Sequence, residues 1–320
     1  MMTSPQTVSV IMPARNAERT IEKSVASVLA QRGLGELIVV DDGSTDRTRD
    51  VLDRISDRRI RIIQGPGAGI ARALNAGLFE ARFAYVARCD SDDLYPADRL
   101  ARQSTWLDAN PEFIGISGGF VTIDEAGKKL ASLVSDGEAR EVTNDLREGN
   151  VLTSLCTWLI RRNSICSIGG VRPWFETAED VDLQFRLAGI GRIWHDPEPT
   201  YFYRLHHQSI THTRQSARLH FFDDMAVKFN HQRMTHGRDD LDIGAAPAVP
   251  EFSDCNNMKH TVLRRQVVGH LTAQAWRDFH GGRKLDGIAG LCSAIRRHPT
   301  SLACWRGLAV MILRAAQSKK

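Results

Sequence analysis

An α/β fold, with a mainly parallel sheet covered by helices on both faces, follows from three features of the sequence. Over residues 8–110, short apolar runs alternate with segments of helical periodicity. The runs are apolar throughout rather than alternating, as strands buried on both faces require. Three of the first four end in polar or charged residues: Pro13-Ala14-Arg15-Asn16, Asp41-Asp42 and Asp90-Ser91-Asp92-Asp93. Such sheets bind ligands beyond the carboxyl ends of their strands, so these loops are expected to converge on one edge.

Val8–Met12 is the first strand and stops at Pro13. Ala17–Ala30 repeats apolar residues at Ile21, Val25, Val28 and Leu29, which is one helix face. Leu37–Val40 is the second strand, and Ser44 or Thr45 is placed to cap a helix running to about Ile55. Ile60–Ile63 is the third, followed by the Gly65-Pro66-Gly67-Ala68-Gly69 loop and a helix over Ile70–Glu80. Ala84–Ala87 is the fourth and delivers the acidic stretch, after which Pro96 opens a new helical pattern.

The pattern changes after Asn110-Pro111. Phe113–Ile123 reads as strands broken at Gly118-Gly119, with Asp124-Glu125-Ala126-Gly127 as a hairpin turn. Glu138–Glu148 reads as helix, Thr157–Ile160 as strand, and Ser164–Gly170 as a short helix closed by glycine. A helix follows Glu179-Asp180, and Ile190–Trp194 and Thr200–Tyr203 are further strands. Beyond Thr213 the strand signal ends. Ala217–Arg233, Met258–Phe279, Gly287–Arg297 and Ser301–Ala316 read as helical, and residues 236–254 as a loop or linker. This divides the chain at 1–212 and 213–320.

Hydrophobic residues make up 42% and charged residues 25%, as in soluble globular proteins. A net charge of +4, with both signs interspersed, permits anionic small molecules or a membrane surface and does not suggest nucleic acid. The six cysteines are scattered, form no CxxC pair and fit no zinc spacing, which points to reduced thiols and a cytosolic setting. Met1–Thr7 lacks the features of a signal peptide. No run reaches the ~18 apolar residues a bilayer span needs, so a soluble or peripheral protein is expected.

Three carboxylates within four positions, Asp90, Asp92 and Asp93, repel one another. A divalent cation such as Mg²⁺ or Mn²⁺ would neutralise them. Alternatively the stretch is a solvated turn in which Asp90 or Ser91 caps a helix.

Several segments, in order, carry a family likeness. They are residues 8–16, Asp41-Asp42-Gly43-Ser44-Thr45-Asp46-Arg47-Thr48, residues 69–77, Asp90-Ser91-Asp92-Asp93 with Pro96 and Arg99, and Glu179-Asp180. Over residues 5–210 the chain resembles the family-2 inverting glycosyltransferases of the GT-A fold, which transfer sugars from nucleotide-diphosphate donors. The likeness implies a donor half over about 1–110, an acceptor half over about 111–212, and a C-terminal helical region that carries no motif.

By this resemblance Pro13, Ala14, Arg15 and Asn16, with Asp41 and Asp42, hold the nucleobase and ribose. Asp41, with Asp42 as alternate, would accept the N3–H of uracil. Arg72 would meet a phosphate or a sugar group, or is a solvated helix arginine. Asp90-Ser91-Asp92 matches the DxD motif: Asp90 contacts ribose or metal, and Asp92 binds the Mn²⁺ or Mg²⁺ that bridges the diphosphate. Asp93 is left to cap the next helix and is expected to matter least. Asp180 corresponds to the general base, with Glu179 beside it on the acceptor side. Trp174 and Trp158 either stack on a sugar or belong to the core. His206 or His207 is a candidate third metal ligand, and Arg204 and Ser209 sit where relatives clamp the diphosphate.

The QxxRW motif of processive synthases is missing after Asp180, so single-sugar transfer is expected. The implied partners are a nucleotide sugar, of the UDP-sugar class, and a glycan or lipid-linked acceptor for an envelope polysaccharide. The implied place is the cytoplasm or the inner face of the plasma membrane. A sugar-nucleotide nucleotidyltransferase would begin with a Gly-rich loop bearing Arg and Lys, which residues 8–16 lack. An inactive nucleotide-binding module is disfavoured by intact Asp90, Asp92 and Asp180. The last helix, with Trp305, Leu308, Met311, Ile312 and Leu313 beside Arg306 and Arg314, suits a membrane surface, core packing or dimerisation.

Overall fold

The computed structural model describes residues 8–133, 138–205, 216–252 and 259–317. β1 (Val8–Ala14), α1 (Ile21–Leu29), β2 (Leu34–Asp41), α2 (Thr48–Asp53), β3 (Ile60–Gln64), α3 (Ile70–Glu80), β4 (Tyr85–Arg88) and α4 (Arg99–Ala109) follow the expected alternation. β3, β2, β1 and β4 are neighbours in that order, all parallel. Burial on both faces is complete along β2, where Leu37, Ile38, Val39 and Val40 are 0% exposed. Continuous apolar runs are the sequence cost of covering both sides of a sheet.

The later elements are β5 (Phe113–Ile123), β6 (Lys129–Leu133), β7 (Arg140–Glu141), α5 (Thr143–Arg147), β8 (Leu159–Arg161), α6 (Arg162–Ser167), α7 (Glu179–Ile190), β9 (Arg192–Arg204) and α8 (Ser216–His236). The sheet continues from β4 as β8-β5-β9-β7. β8 is antiparallel to β4 and β5, and β7 to β9. The parallel half is the half that carries the three polar loops.

Several local expectations are corrected. Gly118-Gly119 does not break β5; a Cβ at Gly118 would overlap the Thr200 side chain, so glycine permits close packing inside a continuous strand. The expected strands at 190–194 and 200–203 are one strand, β9, and Ile190 closes α7 instead. Pro197 and Pro199 lie two apart, so their missing donors fall on one edge, and the pairing with β7 is confined to Trp194 and His195. Residues 138–148 hold the short β7 and a single-turn α5 rather than one helix. α2 is capped by neither Ser44 nor Thr45: Asp46 Oδ1 accepts from the Thr48 N–H at 2.9 Å.

The chain divides into two compact units. The first holds residues 1–120, 137–202 and 216–252; the second holds 121–136, 203–215 and 253–320. The expected boundary at 212/213 is therefore displaced, because α8 belongs to the first unit. Its Phe222, Met225, Ala226 and Phe229, spaced three and four apart, are buried in the main core. In the second unit Asp124–Lys128 closes the expected hairpin, with Gly127 at φ 90°. Its helices α9 (Lys259–His280), α10 (Lys284–Arg297) and α11 (Leu302–Gln317) pack around Ala275, Leu291, Ala294 and Met311.

Candidate active site

The loops after β1 and β2 are bonded to each other. Asn16, at φ 52°, accepts from the Thr45 N–H at 2.8 Å, and its own N–H donates to Ser44 Oγ at 3.1 Å. Asp41 Oδ1 accepts from the Ser44 N–H at 3.0 Å. Asp42 spends both oxygens on the glycine loop before α3, accepting from Gly67 N–H at 2.7 Å and Gly69 N–H at 3.0 Å. Asn16 and Asp42 thus hold backbone, whereas the hydrogen bond to Ser44 engages one oxygen of Asp41. Pro13 is half-buried and Ala14 is buried at the end of β1. Arg15 and Arg72 are exposed.

β4 ends on Arg88, whose side chain is 11% exposed. Its guanidinium grips Asp90 in a fork, Nε to Oδ1 at 2.7 Å and Nη2 to Oδ2 at 3.1 Å. Its Nη1 donates to Glu179 Oε1 at 3.2 Å. Two tyrosines fix the turn: Tyr95 Oη donates to the Arg88 carbonyl at 2.7 Å, and the Asp90 N–H donates to Tyr201 Oη at 3.0 Å. Ser91 is buried and its carbonyl accepts from Ser24 Oγ at 2.9 Å. Asp92 is half-buried. Asp93 does not cap α4, which starts five residues beyond Leu94 with Asp98 at its N-cap position. At 1% exposure Asp93 is instead a buried part of the turn, its N–H donating to the Asp90 carbonyl at 3.1 Å.

Glu179 and Asp180 open α7, behind Ala178 at φ 59°. Burial, reinforced by Asp180 and opposed by Arg88, pushes the Glu179 carboxyl up to about 7. Burial also raises Asp180; Arg88 pulls it back and Asp90 pushes it up. Asp90, Glu179 and Asp180 therefore share one electrostatic environment around Arg88. α7 is anchored one step further along, where Asp182, with no exposed surface, lies among Arg233 at 3.2 Å, Arg186 at 3.6 Å and Arg172 at 3.7 Å.

Trp174 packs against Phe175, Phe222 and Phe229, with ring centroids 5.1 to 5.4 Å apart, which is core packing. Trp158 is 1% exposed, so it is not a sugar platform. Arg204 belongs to the second unit, where Nη1 donates to the carbonyls of Asp124 at 3.1 Å and Glu125 at 2.8 Å and so holds the hairpin turn. His206, His207 and Ser209 lie outside the described residues.

Among the described residues no three metal-ligating side chains converge. Asp90 is already engaged by Arg88. The arrangement still fits a cation that takes one or two carboxylates from protein and the remaining oxygens from phosphate and water, as Mg²⁺ commonly does. Arg88 is the functional candidate missed from sequence. A charged residue closing an otherwise apolar buried strand, two positions before a carboxylate, was the available signal.

The family model for glycosyl transferase family 2 matches residues 9–167. EpsE of Bacillus subtilis, named as a glycosyltransferase, is 32% identical over 199 residues, covering 59% of this chain and 69% of its own length. WfgD of Escherichia coli, a UDP-Glc:alpha-D-GlcNAc-diphosphoundecaprenol beta-1,3-glucosyltransferase, is 42% identical over 102 residues, 31% of this chain and 40% of its own. A Haemophilus influenzae protein named as a glycosyltransferase is 32% identical, and the chain spans 63% of it. Staphylococcus aureus TarS 1–349, solved in complex with UDP-GlcNAc, shares the fold with a TM-score of 0.58 at 17% identity, over 91% of this chain and 81% of that one. Sequence and fold together show that this chain belongs to glycosyl transferase family 2.

Proposed function

We propose that the chain transfers a single sugar, with inversion, from a UDP-sugar to a glycan or lipid-linked acceptor in envelope polysaccharide assembly. The observation that carries this is the Arg88 bridge, which ties the acidic turn after β4 to the start of α7, where the Asp180 carboxyl feels both Arg88 and Asp90. Support for the donor comes from the fold shared with TarS, which was solved with UDP-GlcNAc. Support for the pathway comes from relatives such as WfgD and the succinoglycan biosynthesis protein ExoO of Rhizobium meliloti.

Asp41 accepts the uracil N3–H, while Asn16 and Asp42 keep the surrounding loops in place. Asp90, oriented by Arg88, faces the ribose, and exposed Arg15 and Arg72 are available to the diphosphate or sugar. A Mn²⁺ or Mg²⁺ ion on Asp92, with Asp90 beside it, would offset charge developing on the departing diphosphate. Asp180 takes the acceptor hydroxyl proton. The acceptor oxygen bonds to the anomeric carbon from the face opposite the nucleotide, and UDP leaves with the electron pair of the broken bond. Burial raises the Asp180 carboxyl above its ordinary value, which makes it a stronger base. Transfer is non-processive, a reading supported by the missing QxxRW motif after Asp180. The reaction runs on the cytoplasmic side.

The test is UDP release from a panel of UDP-sugars with Mn²⁺. Release that falls at least ~100-fold in Asp180→Asn supports the proposal, since general bases contribute about 10² to 10⁴. Release from none of the panel, or release indifferent to Asp180→Asn, overturns it.

A further inference from the structure

α11 is apolar on two opposite faces. Cys304, Gly307 and Met311 lie buried toward the bundle, with Leu308 half-buried beside them. At helical spacing the opposite face carries Leu302, Trp305, Ile312 and Leu313, exposed at 71%, 50%, 51% and 64%. Of the residues named from sequence, Leu308 and Met311 are therefore spent on the core, while Trp305, Ile312 and Leu313 face outward. Arg306 and Arg314 are both exposed and run along one edge of the outward stripe. Residues 302–317 contain no carboxylate.

We propose that this face of α11 lies on an anionic membrane surface, with Trp305, Ile312 and Leu313 in the headgroup boundary and Arg306 and Arg314 against lipid phosphates. An exposed apolar stripe containing tryptophan and edged by cations is the composition of an interfacial helix. Charge decides against a second copy of the chain as the occupant. An isologous contact across this face would bring the arginines of two copies together, with no acid on either helix to pair with them. An anionic leaflet attracts the same arginines. The contact deepens the proposed reaction by holding the enzyme at the surface where a lipid-linked acceptor resides, yet it rests on the helix face alone.

The experiment is flotation of the full chain with vesicles of phosphatidylcholine alone and of phosphatidylcholine with phosphatidylglycerol, at low and high salt. Two variants are run beside it, Trp305→Glu/Ile312→Glu and Arg306→Glu/Arg314→Glu, each with UDP release measured in detergent. The expected result is flotation with phosphatidylglycerol vesicles that weakens with salt and drops at least about tenfold in both variants, with UDP release unchanged. Wild-type chain that stays at the bottom of the gradient, or variants that float as it does, overturns the proposal. Concentration-dependent dimers without vesicle binding overturn it in favour of a second copy. UDP release is scored separately, so failure of the membrane contact does not register as failure of the reaction.

Discussion

Replacing Arg88 by alanine removes the cation that Asp90 and Glu179 grip and that Asp180 feels. Deleting one partner of a buried ion pair costs about 3–5 kcal/mol. Glu179 is 9% exposed but Asp90 is 23% exposed, so solvent screens part of the loss, and about 3 kcal/mol is expected at alkaline pH. The loss depends on pH, with a definite sign. Glu179 sits at about 7 in the folded chain against an ordinary 4.5, so its contribution favours folding at low pH and is lost as pH rises through 7. Without Arg88 the folded value climbs further, and the loss continues above 7 at about 1.4 kcal/mol per unit. Urea unfolding at pH 6 and pH 8.5 reads this directly. The expected destabilisation of Arg88→Ala is larger at pH 8.5. The acid limb of the pH profile of kcat/KM moves upward, because Arg88 is what pulls Asp180 down. Arg88→Lys restores charge without the fork and recovers only part of both effects. A destabilisation equal at the two pH values, with an unmoved acid limb, would refute the bridge.

Three further outcomes follow from neighbouring contacts. Asp182→Ala removes the buried carboxylate that Arg172, Arg186 and Arg233 share, leaving Arg172 and Arg233 on Asp239, and is expected to cost about 3 kcal/mol in urea unfolding. Gly118→Ala drives a methyl group into Thr200 and is expected to cost about 1–3 kcal/mol, whereas a truly broken strand at this point would tolerate it. Asp42→Ala releases the Gly67 and Gly69 N–H groups, each in a charge-assisted bond worth about 1.5–3 kcal/mol, so hydrogen exchange at those two amides is expected to accelerate.

The parallel half of the fold was legible because its strands must be apolar on both faces, and α3 matches its expected span of Ile70–Glu80. The antiparallel half was harder. Gly118-Gly119 and the prolines of β9 are local breakers whose tertiary setting makes them tolerable, and periodicity alone does not see that setting. The same holds for α8, whose amphipathic stripe was visible while the core it joins was not. In the site, the convergence of the polar loops could be deduced from the ends of the strands. The division of labour within them could not. Asp41 and Asp42 are adjacent and chemically identical, yet Asp42 is committed to Gly67 and Gly69. Asp93, expected to matter least, is buried in the turn. Arg88 was overlooked because its partner Glu179 lies 91 residues away in sequence.

Titrating UDP into the protein by calorimetry, with and without Mn²⁺, tests the division between donor and base most directly. Binding that strengthens with Mn²⁺, weakens at least about tenfold in Asp92→Ala and is unchanged in Asp180→Asn is the expected result. UDP that binds Asp92→Ala as tightly as the parent chain, or that fails to bind the parent chain with Mn²⁺ present, would contradict it.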